Sequence, residues 1–455
     1  MFNPTIEIIS HTPDLEKVCT TAVKHTYRKE KPSELIKGVK EKDKDILLGN
    51  IMKAKHLSVI EHGYFTMFFT DVSVFFEQFL IEHRLASYTV KSRRYVDYSE
   101  SGFVIPNYLE DKPILRKKYV DTVKKLFGIY RFLLDKGVPV EDARFVLPYC
   151  FKTSVICTMN SRELYHFLDR CLSNEYEEIR KVGRVLLSKV KRIAPKIYGN
   201  LELKTLEREE TIVSFEREGR KPKNKVELLY CTENPDEKIV LSNLVKSTGM
   251  DTESLKEKVN EVKERIIRNV LKSKRPRELE QANFTFRINN VSLSILTHIT
   301  RHRIHSLIVP DFVIAGKSNN YVVPESVRRT GILEKKYREA FEISNELHNF
   351  LTKKNVPKEA LVYNYLSGNL IDIITTMNAR ELYHFLRLRT CERAQWEVRE
   401  IANHMLRVVM KVAPLTFRKA GPSCFLLGHC PEGKLTCGKF EEVVSRYRDF
   451  HEKGF

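Results

Sequence analysis

Thr158-Met159-Asn160-Ser161-Arg162-Glu163-Leu164-Tyr165-His166-Phe167-Leu168 recurs as Thr376-Met377-Asn378-Ala379-Arg380-Glu381-Leu382-Tyr383-His384-Phe385-Leu386, ten of eleven residues identical at a shift of 218. Chance does not produce such a match, so the chain reads as a tandem duplication. Working outward, the first copy has Glu82-His83-Arg84-Leu85-Ala86-Ser87 after the apolar run Val74 to Ile81. The second has Arg301-His302-Arg303-Ile304-His305-Ser306 after Val291 to Ile299. Leucine and isoleucine recur at helical spacing in the second run, so its basic cluster is expected at a helix C-terminus. Cations complement the helix dipole there. That accounts for one or two basic groups, whereas two arginines, two histidines and a serine in six residues suit a polyanion such as phosphate.

The 455 residues suit two ordinary domains, with 42% hydrophobic and 30% charged residues. No apolar run is long enough to span a bilayer, and Met1 to Lys17 lacks the apolar core of a signal peptide. With six of nine cysteines scattered, a reducing, cytoplasmic location is expected. The net charge of +19 favours anionic partners. Without an RNA-binding signature, nucleic acid is a weaker expectation than phosphorylated metabolites or a dinucleotide.

Strands are expected at 4–10, 64–70, 226–231 and 283–288, from their β-branched and aromatic content. Helical periodicity covers 115–136, 160–193, 333–354 and 378–412, and a charged amphipathic helix is expected over 251–273. Asn160 with Glu163, and Asn378 with Glu381, look like capping boxes. The expected division is a first domain at 1–200, a charged linker at 201–225, a second domain at 226–418 and a tail at 419–455. In the tail, Cys424, His429, Cys430 and Cys437 could in principle serve zinc. Adjacent His429 and Cys430 form an awkward ligand pair, and the spacing matches no standard site. An ordinary thiol-containing turn cluster is therefore expected, and no metal.

Several local patterns, in the right order and at the right intervals, resemble the flavin-dependent thymidylate synthases, the ThyX family. They are Arg301-His-Arg-x-x-Ser, Asn378-Ala-Arg-Glu-Leu, Arg389-Thr-Cys-Glu-Arg-Ala-Gln-Trp396 and His56-Leu-Ser-Val-Ile-Glu-His62. The resemblance spans nearly all of both copies apart from linker and tail. It implies an α+β fold: two tandem domains, each an antiparallel sheet flanked by helices. It also implies conversion of dUMP to dTMP, with methylenetetrahydrofolate giving carbon and NADPH-reduced FAD giving hydride, and no attacking cysteine. Two such chains would form a four-domain homodimer.

Carried over position by position, the resemblance assigns dUMP to Ser92, Arg94, Arg144, His298, Arg301 and Arg389, with Arg389 as the catalytic, ring-polarising group. It assigns FAD to His56, Ser58, Asn160, Arg162 and His166 in the first copy, and to Arg301, His302, Arg303, Asn378, Arg380 and His384 in the second. Arg380 and His384 share a helix face at i,i+4, while Arg389 falls on roughly the opposite side.

The departures are informative. The first copy keeps Ser92, Arg94 and Arg144 but has Glu82 in place of the opening arginine, and Cys171 (or Arg170, allowing a deletion) in place of Arg389. The second keeps Arg301, His302, Arg303 and Arg389 but has Asp311, Val313 and Val362 at the other positions. Val90 stands where an acidic or amide residue is usual, Arg275 is the counterpart of His56, and Phe79 that of His298. The copies have lost opposite subsets, so a full nucleotide site can be assembled once per chain, from both halves. The rival expectations are a non-catalytic flavin or nucleotide binder and a same-fold enzyme acting on another pyrimidine or RNA.

Overall fold

Period-two burial in the strands and 3.6-residue burial in the helices produce the same element order twice. The computed structural model describes residues 4–202, 224–315 and 317–452. The first copy contains β1 (Thr5–His11), β2 (Tyr64–Ser73), α1 (Val74–Ile81), β3 (Ala86–Val90), α2 (Pro113–Asp135), β4 (Lys152–Asn160), α3 (Ser161–Ser173) and α4 (Glu177–Ile193). The second contains β5 (Val226–Cys231), β6 (Asn283–Ser292), α5 (Leu296–Thr300), β7 (His305–Ile308), α6 (Gly331–Lys353), β8 (Asn369–Asn378), α7 (Ala379–Arg389) and α8 (Trp396–Val412). The tail adds α9 (Ser423–Leu427) and α10 (Phe440–Glu452). The sheets are antiparallel, ordered β1-β2-β4-β3 and β5-β6-β8-β7, as an α+β reading requires. The expected linker falls, apart from its ends, outside the described residues. No helix among the described residues is long and apolar enough to cross a membrane.

In the first sheet, Phe65, Met67 and Phe69 turn inward from β2 against Leu164, Phe167 and Leu168 of α3, with Val182, Leu186 and Val190 of α4 in the same core. Each such side chain contributes roughly 1.5–3 kcal/mol on burial. β2 and β6 run further than their residue types suggest. Asp71 and Asn290, counterparts at a shift of 219, take φ of 57° and 51° beside a register shift, after which pairing resumes. Asp and Asn tolerate this left-handed conformation, so the strand crosses the bulge instead of ending. The expected helix over 291–299 is correspondingly short. β6 persists to Ser292, a 3₁₀ turn spans 293–295, and α5 covers only 296–300. The expected helices 160–193 and 378–412 each break in two, at 174–176 and 390–395. The charged helix over 251–273 also divides, into 252–256 and 259–272.

The chain forms two compact units, Met1–Arg217 with Ser318–Asn369, and Glu218–Lys317 with Leu370–Phe455. Residues 318–369 of the second copy thus belong to the first unit. Within it α2 and α6, counterparts at a shift of 218, pack on each other. Tyr119 and Leu133 are buried on α2, and their counterparts Tyr337 and Leu351 on α6. Pro148 and Leu366, also counterparts, bridge directly. Tyr149 N–H donates to Tyr365 O at 2.8 Å and Ser367 N–H to Leu147 O at 2.9 Å. Exchanging the copies maps one bond onto the other, which is the local signature of a two-fold, self-complementary contact.

Candidate active site

In the first unit, the segment after β3 delivers the basic residues. Ser92 Oγ accepts the Arg94 N–H at 3.3 Å, bending the chain so that Arg93 and Arg94 diverge. Arg93 turns into the core and pairs with Glu77 of α1 at 2.8 Å, both groups buried. Arg94 Nε donates to Glu141 Oε2 at 2.6 Å, and Arg144 Nε donates to the Glu141 carbonyl at 3.0 Å. Arg94 and Arg144 are therefore gathered around one acidic residue, with Ser92 holding the Arg94 backbone. Arg144 is only 2% exposed, and its Nη2 has no hydrogen-bond partner among the described residues. Burial first, then the neighbouring Arg93 and Arg94, pull its pKa down to about 9, partly offset by Glu141. A buried guanidinium crowded by like charge, with a donor unanswered among the described residues, is stabilised by an anionic oxygen.

The same unit carries the first copy of the duplicated helix. Asn160 Oδ1 accepts the Glu163 N–H at 2.8 Å and caps α3. Arg162 pairs with Glu61 at 2.5 Å, which ties the helix start to the exposed turn bearing His56 and Ser58. His166 is exposed and lies edge-on to the buried His83 at 5.8 Å. His83 is pulled down to about 3, mainly by burial and then by Arg170. Its Nε2 has no hydrogen-bond partner among the described residues. Arg170 lies over the Phe79 ring at 5.3 Å. Cys171, the positional counterpart of Arg389, is fully buried against Gly183, where an added Cβ would come within 2.5 Å of the cysteine Cβ.

The second unit holds the other subset. Asn378 Oδ1 accepts the Glu381 N–H at 2.9 Å, and Arg380 pairs with Glu280 at 2.5 Å. Both repeat the arrangement of the first copy. His384, like His166, is exposed and edge-on to a buried histidine, here His302 at 5.7 Å. Arg301 Nε donates to Thr297 O at 2.8 Å, and its Nη2 lies 3.2 Å from Nδ1 of the buried His298. Arg303 is exposed beside them.

At the centre of this unit, Arg389 Nε donates to His302 Nε2 at 3.0 Å, while His302 Nδ1 lies 2.9 Å from Glu381 Oε1. Nε2 can accept only if it carries no proton, so the proton sits on Nδ1 and is donated to Glu381. Burial first, then Arg389, His384 and Arg301, hold His302 neutral, with a pKa near 2. Burial raises Glu381, against the lowering effect of His384, His305 and Arg380. The Glu381 carboxylate is thus used on His302, and Asn378 supplies the side-chain cap. The result is a directed chain, Glu381 to His302 to Arg389, that fixes the arginine from its Nε side.

Sequence reading missed four members of these clusters: Glu77, Arg93, Glu141, and Glu381 as the anchor of His302. The available signals were a glutamate inside the apolar run Val-Phe-Phe-Glu-Gln-Phe-Leu-Ile, and a glutamate repeated in both copies of the duplicated helix.

Comparison with known proteins identifies the family. The model of the thymidylate synthase complementing protein family matches twice, over residues 7–196 and 227–415. A flavin-dependent thymidylate synthase of Geobacter sulfurreducens is 36% identical over 229 residues, covering 50% of this chain and 98% of its own length. That of Pyrococcus abyssi is 34% identical over 242 residues, covering 50% and 98%. A UMP/dUMP methylase, PolB of Streptomyces cacaoi, bound with 5-Br dUMP, aligns with TM-score 0.39 and 21% identity over 44% of this chain and 94% of that one. One ordinary relative thus occupies about half of this chain, and the chain belongs to the flavin-dependent thymidylate synthases, with two copies of the family domain in tandem.

Proposed function

We propose that the chain methylates dUMP to dTMP at one composite nucleotide site, to which the first copy contributes Ser92, Arg94 and Arg144 and the second His298, Arg301 and Arg389. The observation that carries this reading is the buried Arg144, whose Nη2 lacks a partner among the described residues, amid Arg93 and Arg94. A nucleotide phosphate supplies the anionic oxygens that such a cluster requires. Arg389, held through His302 and Glu381, would donate to the uracil ring and stabilise the negative charge that develops as C5 becomes nucleophilic. Preorganised electrostatics of this kind is often the largest catalytic contribution. The missing Arg389 counterpart in the first copy, where Cys171 is packed against Gly183, supports one site rather than two.

FAD is the group that would supply hydride, recharged by NADPH, with methylenetetrahydrofolate as carbon donor. The exposed His166 and His384, each backed by a buried histidine, and the arginines Arg162 and Arg380 at capped helix starts fit a planar, phosphorylated cofactor. His56, Ser58, Asn160, Asn378, Arg301, His302 and Arg303 complete the proposed flavin set. In it the buried His302 acts through Arg389, and the two asparagines act as helix caps. Two chains would pair, giving four family domains per particle. Release of tritium from deuridylate labelled at C5, with FAD, NADPH and methylenetetrahydrofolate, tests the reading. Flavin binding without any release would favour a non-catalytic binder.

A further inference from the structure

The segment beyond the matched residues is folded around the end of α7. Its ends close on each other: Phe425 stacks on His451 at 5.5 Å, and His451 Nε2 lies 2.8 Å from Ala420 O. Gly421 sits so close to the Tyr447 and Phe425 rings that an added Cβ would approach within 3.0 and 3.1 Å. The segment docks at three points. Arg387 Nε donates to Ser423 Oγ at 3.0 Å, Tyr447 OH donates to Asn403 Oδ1 at 2.6 Å, and Arg446 pairs with Glu392.

These contacts bring cysteines together. Cys391 directly precedes Glu392, and Cys424 directly follows Ser423. Cys430 and Cys437 flank the 3₁₀ turn Gly433–Leu435, and Gly428, Gly433 and Gly438 take φ of 71°, 52° and 74°. Only residues without a Cβ adopt those values cheaply, and they fold the loop back on itself. The four thiols lie within electrostatic reach of one another, Cys391 of Cys437 and Cys430, and Cys424 of Cys391 and Cys430. All four are free and partly exposed, whereas Cys19, Cys150, Cys157 and Cys171 are buried in the core of the other unit. The fourth thiol comes from the family domain itself, 33 residues before Cys424 in the sequence.

We propose that Cys391, Cys424, Cys430 and Cys437 ligate an iron–sulfur cluster of the four-iron, four-sulfide type, which clips the tail onto the loop after Arg389. A single zinc ion with four thiolates at about 2.3 Å would need its sulfurs within roughly 4 Å of one another. No group of three or more His, Cys, Asp or Glu among the described residues is drawn together tightly enough to hold one ion. A cubane takes one thiolate at each iron and so accepts a wider set of four cysteines. His429, adjacent to Cys430, has its Nδ1 3.2 Å from the Leu427 carbonyl and is not required as a ligand.

The test is metal analysis of the full chain purified under anaerobic conditions, with iron, acid-labile sulfide and zinc counted per chain. Flavin absorbs in the same visible region, so Mössbauer spectroscopy and electron paramagnetic resonance after reduction supply the cluster signature. The expected result is about four iron and about four sulfide per chain in the natural protein and in Cys231→Ser. Cys391→Ser and Cys437→Ser should lose most of the iron while still binding FAD. One zinc per chain without sulfide, or a folded protein with no stoichiometric metal, would overturn the assignment. Because the natural protein alone decides between these outcomes, a misfolded variant does not blunt the test.

Discussion

At the scale of single residues, the least expected feature is the use made of His302. The Arg-His-Arg pattern assigns it to the flavin, yet the ring is buried and holds Arg389 from behind. His302→Ala should leave the half-buried Nε donor of Arg389 without its His302 acceptor, at a cost of about 1–3 kcal/mol. Expressed in the transition state, that is about one to two orders of magnitude in kcat, with the Kd for FAD nearly unchanged. Tritium-release kinetics alongside a flavin titration separate the two effects. If FAD affinity fell and kcat did not, the ring would be a flavin contact after all.

A second residue-scale prediction concerns Glu359, whose Oε1 accepts the Glu178 N–H at 2.9 Å. Burial, and then the charges of Glu178 and Glu177, raise its carboxyl from 4.5 to about 7, against the lowering effect of that backbone bond. A raised carboxyl adds stability below its unfolded pKa, and that contribution is lost as pH rises through the folded value. A rise from 4.5 to about 7 is worth about 3 kcal/mol. Glu359→Gln, which mimics the protonated acid, should therefore match the natural protein near pH 4.5. It should become progressively more stable than the natural protein up to pH 7, and hold that margin above it. Thermal melts across this range check the claim, and a pH-independent difference would refute it.

At the scale of elements, much was legible and the failures have physical causes. β1, β2, β5 and β6 followed from their residue types, and the long helices from periodicity because α3 and α4 each bury one clear face, whereas β3, β4, β7 and β8 were not expected. The bulges at Asp71 and Asn290 were hidden, since a single left-handed residue leaves the side-chain pattern almost intact. The break before α8 was hidden too. Gln395 Oε1 caps that helix by accepting the Val398 N–H at 3.0 Å, and glutamine is not an expected cap. Nothing in the sequence showed that α6 packs with α2 in the first unit. Two helices with equivalent apolar faces satisfy the same pattern whether they pair within a repeat or across repeats.

That packing has a testable consequence. Gly368 N–H donates to Phe145 O at 2.8 Å, and an added Cβ would meet Phe341 at 2.9 Å and Phe145 at 3.0 Å. Gly368→Ala should cost about 1–3 kcal/mol by overpacking, read as a lower midpoint in denaturant. Residues 226–455 expressed alone should expose the apolar face of α6, and so self-associate or aggregate. A stable monomer of that fragment would show that α6 does not depend on the first copy.

At the scale of the whole molecule, the chain carries two family domains, and the proposed function has their functional residues divided rather than duplicated. That proposed division rests on the repeat, which aligns both copies against one pattern in which each copy's losses are the other's retentions. Arg94→Ala removes a charge-assisted contact worth roughly 1.5–3 kcal/mol and should weaken dUMP binding by about one to two orders of magnitude. Arg389→Ala should chiefly slow methylation. Mixing the two variants should restore little activity if, as proposed, each chain supplies both halves of its own site.

The most direct test of that division is the calorimetric count of dUMP bound per FAD-loaded chain. One dUMP per chain, lost in Arg144→Ala, is the result expected if the copies complement each other. Two dUMP per chain, or one that survives loss of Arg144 and Arg94 together, would show that each copy builds its own site and that the division is not functional.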